Sequence, residues 1–432
     1  MEAGTRECDL GQGVGALTHA ENEPEQTVTE RQALTEPGFL GYVVARGLTL
    51  VGDNIWWVAI GWAAAQLGDP GLTGLVLAVT GIPRIALMLI GGAVTDIRGS
   101  RPVMLASDFL AGVAALSAAL LALSQGDTVA AWLLIAMGLV FGTVDAFYVP
   151  ASSSYLASLV PKHALPRAVA IRQFTNGMSN AVGRSLGGVL VGAGGFALAA
   201  FVDGLSFFLC FAIFLFVRPK YPVADPPRTS VRRTLTDGLR YVWTHRTIRG
   251  LAMLTLMLNL VTTPLITVGL ALRATSEGWG PGRYGLVAGA IGVGTVLGGL
   301  LGVVVPPPRR AGMALTIWAA AVCVPFAVLA LGTDPTVAMV AAVVWGLCLG
   351  PSNAILSGLL MATVQQQMLG RVQSFVSTVA NGLTPVGTAG FGGLVALTNL
   401  DVVGAICVAM LALTVIVMFL TPDVRNVRLP RE

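Results

Sequence analysis

From residue 40 onward the chain is a succession of long apolar runs separated by short polar breaks. Each run is long enough to cross the roughly 30 Å of hydrocarbon in a bilayer, which takes about 20 residues at helical rise. The pattern predicts twelve helices, over residues 40–66, 73–94, 103–124, 129–156, 168–192, 196–217, 250–272, 285–305, 312–332, 336–362, 373–397 and 401–421. The longest polar break, from Val217 to Gly250, divides six runs from six. The expected architecture is an all-α membrane protein, its twelve transmembrane helices in two pseudo-symmetric six-helix bundles. Its units are a tail at 1–37, a bundle at 38–217, a linker at 218–249 whose second part is an amphipathic surface helix, a bundle at 250–421 and a tail at 422–432.

Composition agrees: 55% of the 432 residues are hydrophobic and 11% are charged, too oily for a soluble domain. The first 37 residues differ, with eight acids against two arginines, and are expected to be disordered. They lack a basic start followed by an apolar core, so no cleavable signal is expected, and the first span is expected to direct insertion. The five cysteines form no disulfide pattern, and Cys210, Cys323, Cys348 and Cys407 fall in apolar runs as small core residues.

Arginine and lysine set the orientation. One face collects Arg98, Arg101, Lys162, Arg167, the basic linker, Arg309, Arg310, Arg371 and the C-terminal arginines. The other keeps Arg283, with Arg273 at a helix edge. This asymmetry predicts a multi-pass protein of the cell (inner) membrane with both termini cytoplasmic. The net charge of +4 is thus a membrane-facing distribution, and nothing supports nucleic-acid binding.

The halves repeat one another. NGMSNAVGRSLGGVL from Asn176 aligns without gaps to NGLTPVGTAGFGGLV from Asn381, and GLVFGTVDA from Gly138 resembles GLCLGPSNA from Gly346. Parallel repeats of this kind place a substrate site near the midplane between the halves, where rocking can alternate access.

Between the second and third runs lies GAVTDIRGSRP, Gly92 to Pro102. Here Gly92, Asp96, Gly99 and Arg101 fit the cytoplasmic signature of the major facilitator superfamily, whereas Ile97 and Ser100 stand where that signature has basic residues. With twelve spans and the six-plus-six repeat, the chain resembles a member of that superfamily. A loop of this kind calls for a glycine that lets helices approach, an acid set against a neighbouring helix N-terminus, and an arginine pairing across the face. Asp108, about one turn into the third run, is a partner for Arg101 or Arg46, and this group reads as a cytoplasmic gate.

LVGDNIWWVAIGW, AFYVPASSSYLASLVP, VGRSLGGVL and FVDGLSFFL further resemble bacterial exporters, the macrolide-efflux and enterobactin-type siderophore export proteins. The resemblance implies proton-driven export of small amphiphilic molecules such as drugs or antibiotics. Siderophore or other metabolite export, a facilitator or importer of the same fold, and a non-transporting sensor are the alternatives. Arg184 stands where the exporters' antiporter motif has proline, which bears on the direction of transport.

An ionisable side chain at mid-bilayer costs from about 2.5 kcal/mol upward, so each is treated as functional. At 1.5 Å per residue, Asp53 and Asp203 lie roughly 20 Å from one face, Asp145 and Arg84 about 16 Å, and Arg184 about 24 Å. Three acids against two arginines leave one carboxylate to carry a proton. The resemblance puts the first and fourth spans on the cavity, which favours Asp53 and Asp145 as carriers; Asp203 reads as structural. Trp57 follows Asp53 at i+4, and Tyr148 and Ser152 follow Asp145 on its own face. Asn176, Asn180 and Arg184 form a polar stripe that serves either the cavity or helix packing. The second half offers only neutral groups at this depth, among them Asn259, Asn353 and Asn381. The partners expected are a small-molecule substrate, protons and lipid, around a monomer.

Other classes lack their motifs. Neither Lys162 nor Lys220 sits in a phosphate-cradling loop, and the three histidines lie outside the runs without metal-ligand spacing. Neither an enzyme nor a cofactor is expected.

Overall fold

Inside a bilayer each backbone N–H and C=O must find its partner within the protein, so the apolar runs coil into α-helices. The structure is a computed structural model and describes residues 30–125, 129–221, 239–304, 310–364, 366–421 and 425. The acidic tail as far as residue 29, residues 222–238 of the linker and nearly all of the C-terminal tail lie outside the described residues. After a short helix, Glu30–Thr35, come α1 (Pro37–Ala65), α2 (Pro70–Arg98), α3 (Ser100–Gln125) and α4 (Ala131–Leu159). Leu165–Phe216 is one continuous helical stretch broken at Gly194 and Gly195, where φ reaches −147° and +66°, giving α5 (165–193) and α6 (196–216). The second half holds α7 (Arg246–Ser276), α8 (Gly280–Val304), α9 (Ala311–Leu331), α10 (Pro335–Thr363), α11 (Gln366–Leu397) and α12 (Leu400–Leu420).

Among the described residues ten stretches are long and apolar enough to cross a membrane. The stretch Lys162–Phe216 contains two passes, and Gly382–Leu397 of α11 adds a shorter apolar one, which accounts for the twelve. Helices outrun the apolar patterns at their polar ends. The end of α2 carries Thr95, Asp96 and Arg98 past the predicted residue 94, because a helix continues after its side chains leave the hydrocarbon. Several starts are capped. Asp69 accepts from the backbone of Gly71 and Leu72, Asp334 from Thr336 and Val337, and Asn399 from Val402, which satisfies amides with no intrahelical partner.

Both the start of α1 and the end of α12 lie on one side, here termed the terminal side; the opposite side is the far side. Apolar packing differs between them. On the far side a single core joins both halves, running from Ile55–Ala65 of α1 through Phe196 and Phe207 of α6 to Leu265–Ala274 of α7 and Tyr284–Ile291 of α8. On the terminal side the cores are separate: one gathers Phe39, Tyr42, Tyr155 and Phe214 of the first half, another Leu251, Leu315, Leu359 and Met418 of the second. Among the described residues the halves therefore meet on the far side and part on the terminal side, leaving a cleft that opens there.

Backbone contact closes the far side. A side chain on Gly188 of α5 would run into Gly285 of α8, and one on Gly285 into Gly188, so both helices need glycine to approach this closely. Tyr284 of α8 reaches Gly61 of α1 and packs on Trp62, with ring centroids 6.1 Å apart. Within the second half, buried Arg273 ties α7 to its neighbours, donating to Ala330 O of α9 at 2.8 Å and to Asp401 of α12 at 2.6 Å.

Candidate functional site

The tandem tryptophans of α1 divide. Trp56 enters the core and stacks on Phe141 at 4.7 Å and against Phe196 at 5.2 Å, anchoring the helix. One position on, Trp57 remains 37% exposed, on the same helical face as Asp53.

Around Asp53, charged groups from three helices converge. Arg46 Nη1 of α1 lies 4.0 Å from Asp53 Oδ2, and Arg84 Nη1 of α2 lies 4.0 Å from Asp145 Oδ2 of α4. Both separations exceed hydrogen-bond length, and these are contacts of charge. The side chains of Asp53 and Asp145 are 31% and 42% exposed. A charge turned toward lipid at this depth is costly, so the accessible face is the wall of the cleft. The guanidinium of Arg46 also lies over the Tyr148 ring, 4.9 Å from its centroid, a cation–π contact.

Sequence reasoning set Arg46 at the inner surface as a gate partner; the structure makes it the ion-pair partner of Asp53. The signal was present, because residues 46 and 53 are seven apart and so share a helical face. Tyr148 and Ser152, expected on the cavity wall, are buried instead. The ring of Tyr148 serves as a platform for Arg46, and Ser152 donates to Val149 O of its own helix.

The polar stripe of α5 turns partly inward. Asn180 donates to Asn176 O and Asn176 to Gln173, while Arg184 Nε donates to Asn54 Oδ1 of α1 at 3.2 Å. Arg184 thus cross-links α5 to α1 and faces Tyr284 of α8, beside the closed far-side seam. In the second half Asn259 donates to Thr255 O, and Asn353 is exposed. The side chain of Asn381 lies outside the described residues. The charged groups named at this depth come from the first half; Asn259 and Asn353 of the second half are neutral.

The expected gate departs from its reading at several residues. A side chain on Gly92 would meet nothing, whereas one on Gly91 would strike Ala146 O of α4, so the close-approach glycine is its neighbour. Gly99 serves the turn into α3 with φ +85°, a conformation that disfavours any side chain. Arg101 donates to Phe214 O and Leu215 O, at 3.2 and 2.7 Å, capping the end of α6 rather than meeting Asp108. Asp96 is exposed and forms no ion pair among the described residues. Asp108 is fully buried two turns into α3, beside the thiol of Cys210, with no nitrogen or oxygen partner for either carboxyl oxygen among the described residues. Asp203 of α6 is likewise fully buried, beside the hydroxyl of Ser206, and lies against Gly52 of α1.

A two-half helical bundle closed at one end, with a charged cleft at mid-depth, is the geometry of a transporter. The family model of the Major Facilitator Superfamily matches residues 42–388. The chain belongs to that superfamily. This facilitator is similar to the multidrug efflux pump Tap of Mycolicibacterium fortuitum, 27% identical over 414 residues, covering 91% of this chain and 98% of that one. It is also similar to the enterobactin exporter EntS of Citrobacter koseri, 23% identical over 405 residues, covering 92% and 94%. Among solved facilitator structures it resembles the nucleoside transporter NupG, with TM-score 0.69 at 15% identity, covering 89% of this chain and 99% of that one. The inward-facing bacterial Spinster homologue gives TM-score 0.64 at 16% identity, covering 91% and 98%.

Proposed function

We propose that this facilitator is a secondary active exporter of small amphiphilic molecules, drugs or antibiotics, working by proton antiport with alternating access. The terminal side is taken as cytoplasmic because the basic loops gather there, which makes the described state inward-open. In this reading substrate enters the cleft from the cytoplasm or the inner leaflet, against Trp57 and the neutral groups Asn259 and Asn353. Asp53 and Asp145 exchange protons on the opposite wall.

The observation that carries the reading is Asp53 itself: a carboxylate at membrane depth, accessible from the cleft and bound to its arginine at 4.0 Å, too far for a hydrogen bond. A carboxylate held this loosely can exchange its partner for a proton when substrate leaves or arrives. Similarity to Tap and EntS supports export over import.

The test is flux in inverted membrane vesicles carrying a pH gradient. Substrate uptake should follow the gradient and collapse when it is dissipated, and Asp53→Asn should lose that dependence. Undiminished gradient-driven uptake by the variant would remove Asp53 from the mechanism. A second reading, export of anionic siderophore-like metabolites, is favoured by Arg84, whose side chain is 44% exposed beside the cleft. Competition between cationic and anionic substrates in the same vesicles separates the two.

A further inference from the structure

Asp108 stands outside the carrier pair just described, and its surroundings are unusual. It sits two turns into α3, fully buried, with the thiol of Cys210 beside it and no nitrogen or oxygen partner for either carboxyl oxygen among the described residues. A carboxylate in that position, at a depth without water, would be strongly destabilised. Groups from three other helices face it: Arg46 and Asp53 from α1, Tyr148 from α4 and the thiol of Cys210 from α6. The Tyr148 hydroxyl is also buried, without a partner among the described residues, and its ring underlies Arg46. One guanidinium thus faces three carboxyls, Asp53, Asp108 and Asp145; Asp145 already lies beside Arg84, which leaves Asp53 and Asp108 to compete for Arg46.

We propose that Asp108 and Asp53 share a single proton, with Arg46 standing beside whichever carboxyl is ionised. In the described state Arg46 is beside Asp53, and Asp108 holds the proton. Exchange breaks one O–H bond at Asp108 and forms one at Asp53, while the guanidinium moves to the new Asp108 carboxylate. The three groups keep one proton and zero net charge throughout. The cation–π platform of Tyr148 lets Arg46 swing without losing all its contacts. Asp108 is in this view a second proton-bearing group on a helix behind the cleft wall, coupled to the exposed one through a mobile cation.

The inference rests on the proton-antiport reading for its purpose, but its test reads protons in the resting protein and needs no flux. Infrared difference spectra of the purified full-length protein, recorded in H2O and D2O near neutral pH, resolve protonated carboxyl C=O bands. Asp108→Asn should remove one such band. Asp53→Asn should remove the same band although Asp108 is intact, because Arg46 is then free to stabilise the Asp108 carboxylate. Asp203→Asn should leave that band in place, and Arg46→Gln should add one, as both carboxyls become neutral. Loss of no band in Asp108→Asn, or persistence of the Asp108 band in Asp53→Asn, overturns the proposal; the latter pair needs no folded Arg46 variant. Should these spectra behave as expected while flux ignores the pH gradient, antiport would fall and the shared proton would stand.

Discussion

Arg46 and Asp53 face one another across two turns of a single helix, Nη1 to Oδ2 at 4.0 Å. They are held by charge and not by a hydrogen bond, so the pair can open at little cost. Its position on the cleft wall makes it the point where protonation can alter the balance between the two halves.

Replacing Asp53 with asparagine keeps the shape and removes the titration. Gradient-driven uptake into inverted vesicles should fall by about tenfold or more, equivalent to roughly 1.4 kcal/mol of lost coupling. Binding of the same substrate to detergent-solubilised protein should change far less, and a parallel loss of both would point to a binding role.

The far-side seam depends on Gly188 meeting Gly285 backbone to backbone. Gly188→Val should wedge α5 from α8 at a cost of about 1–3 kcal/mol, enough to shift the population of far-side-closed molecules by about fivefold to a hundredfold. Labelling of a cysteine introduced at Trp62, which packs on Tyr284, should then speed up. Unaltered labelling would show that the seam tolerates a side chain.

Arg101 caps α6 through two carbonyls. Arg101→Ala should lower thermal stability in detergent by about 1 kcal/mol, and Arg101→Lys, able to reach only one carbonyl well, should fall between. A larger loss from Asp96→Ala than from Arg101→Ala would return the acid to the central place in this loop.

Outside the membrane, Asp334 caps the start of α10, and the amides of Val337 and Thr336 hold its carboxyl below the usual carboxylate range. A depressed folded pKa contributes stability above the unfolded value, near about 3.9, which is lost as pH falls through the folded one. Thermal melts at decreasing pH should show this loss in the natural protein and not in Asp334→Asn. The variant keeps the cap but cannot titrate, and identical pH profiles would exclude the cap as a source.

Much of this fold can be read along the chain. Each apolar run must be a helix, and periodicity assigns faces within it, which is why Trp57 sides with Asp53. Helix ends were less legible because Thr95, Asp96 and Arg98 continue α2 beyond the hydrocarbon, where hydropathy no longer reports on the helix.

Sequence alone determined the apolar helical spans, the matching segments of the two halves and the charged layer in the first of them, since hydrophobicity, helical period and charge are local properties. Which charges meet was decided by tertiary structure. Arg46 goes to Asp53, Arg101 to the carbonyls of α6, and Asp108 and Tyr148 to the interior, because these outcomes depend on how each helix is rotated and which neighbour it packs against. The side on which the cleft opens was decided there too, by glycines that let backbones touch at one end while the cores separate at the other.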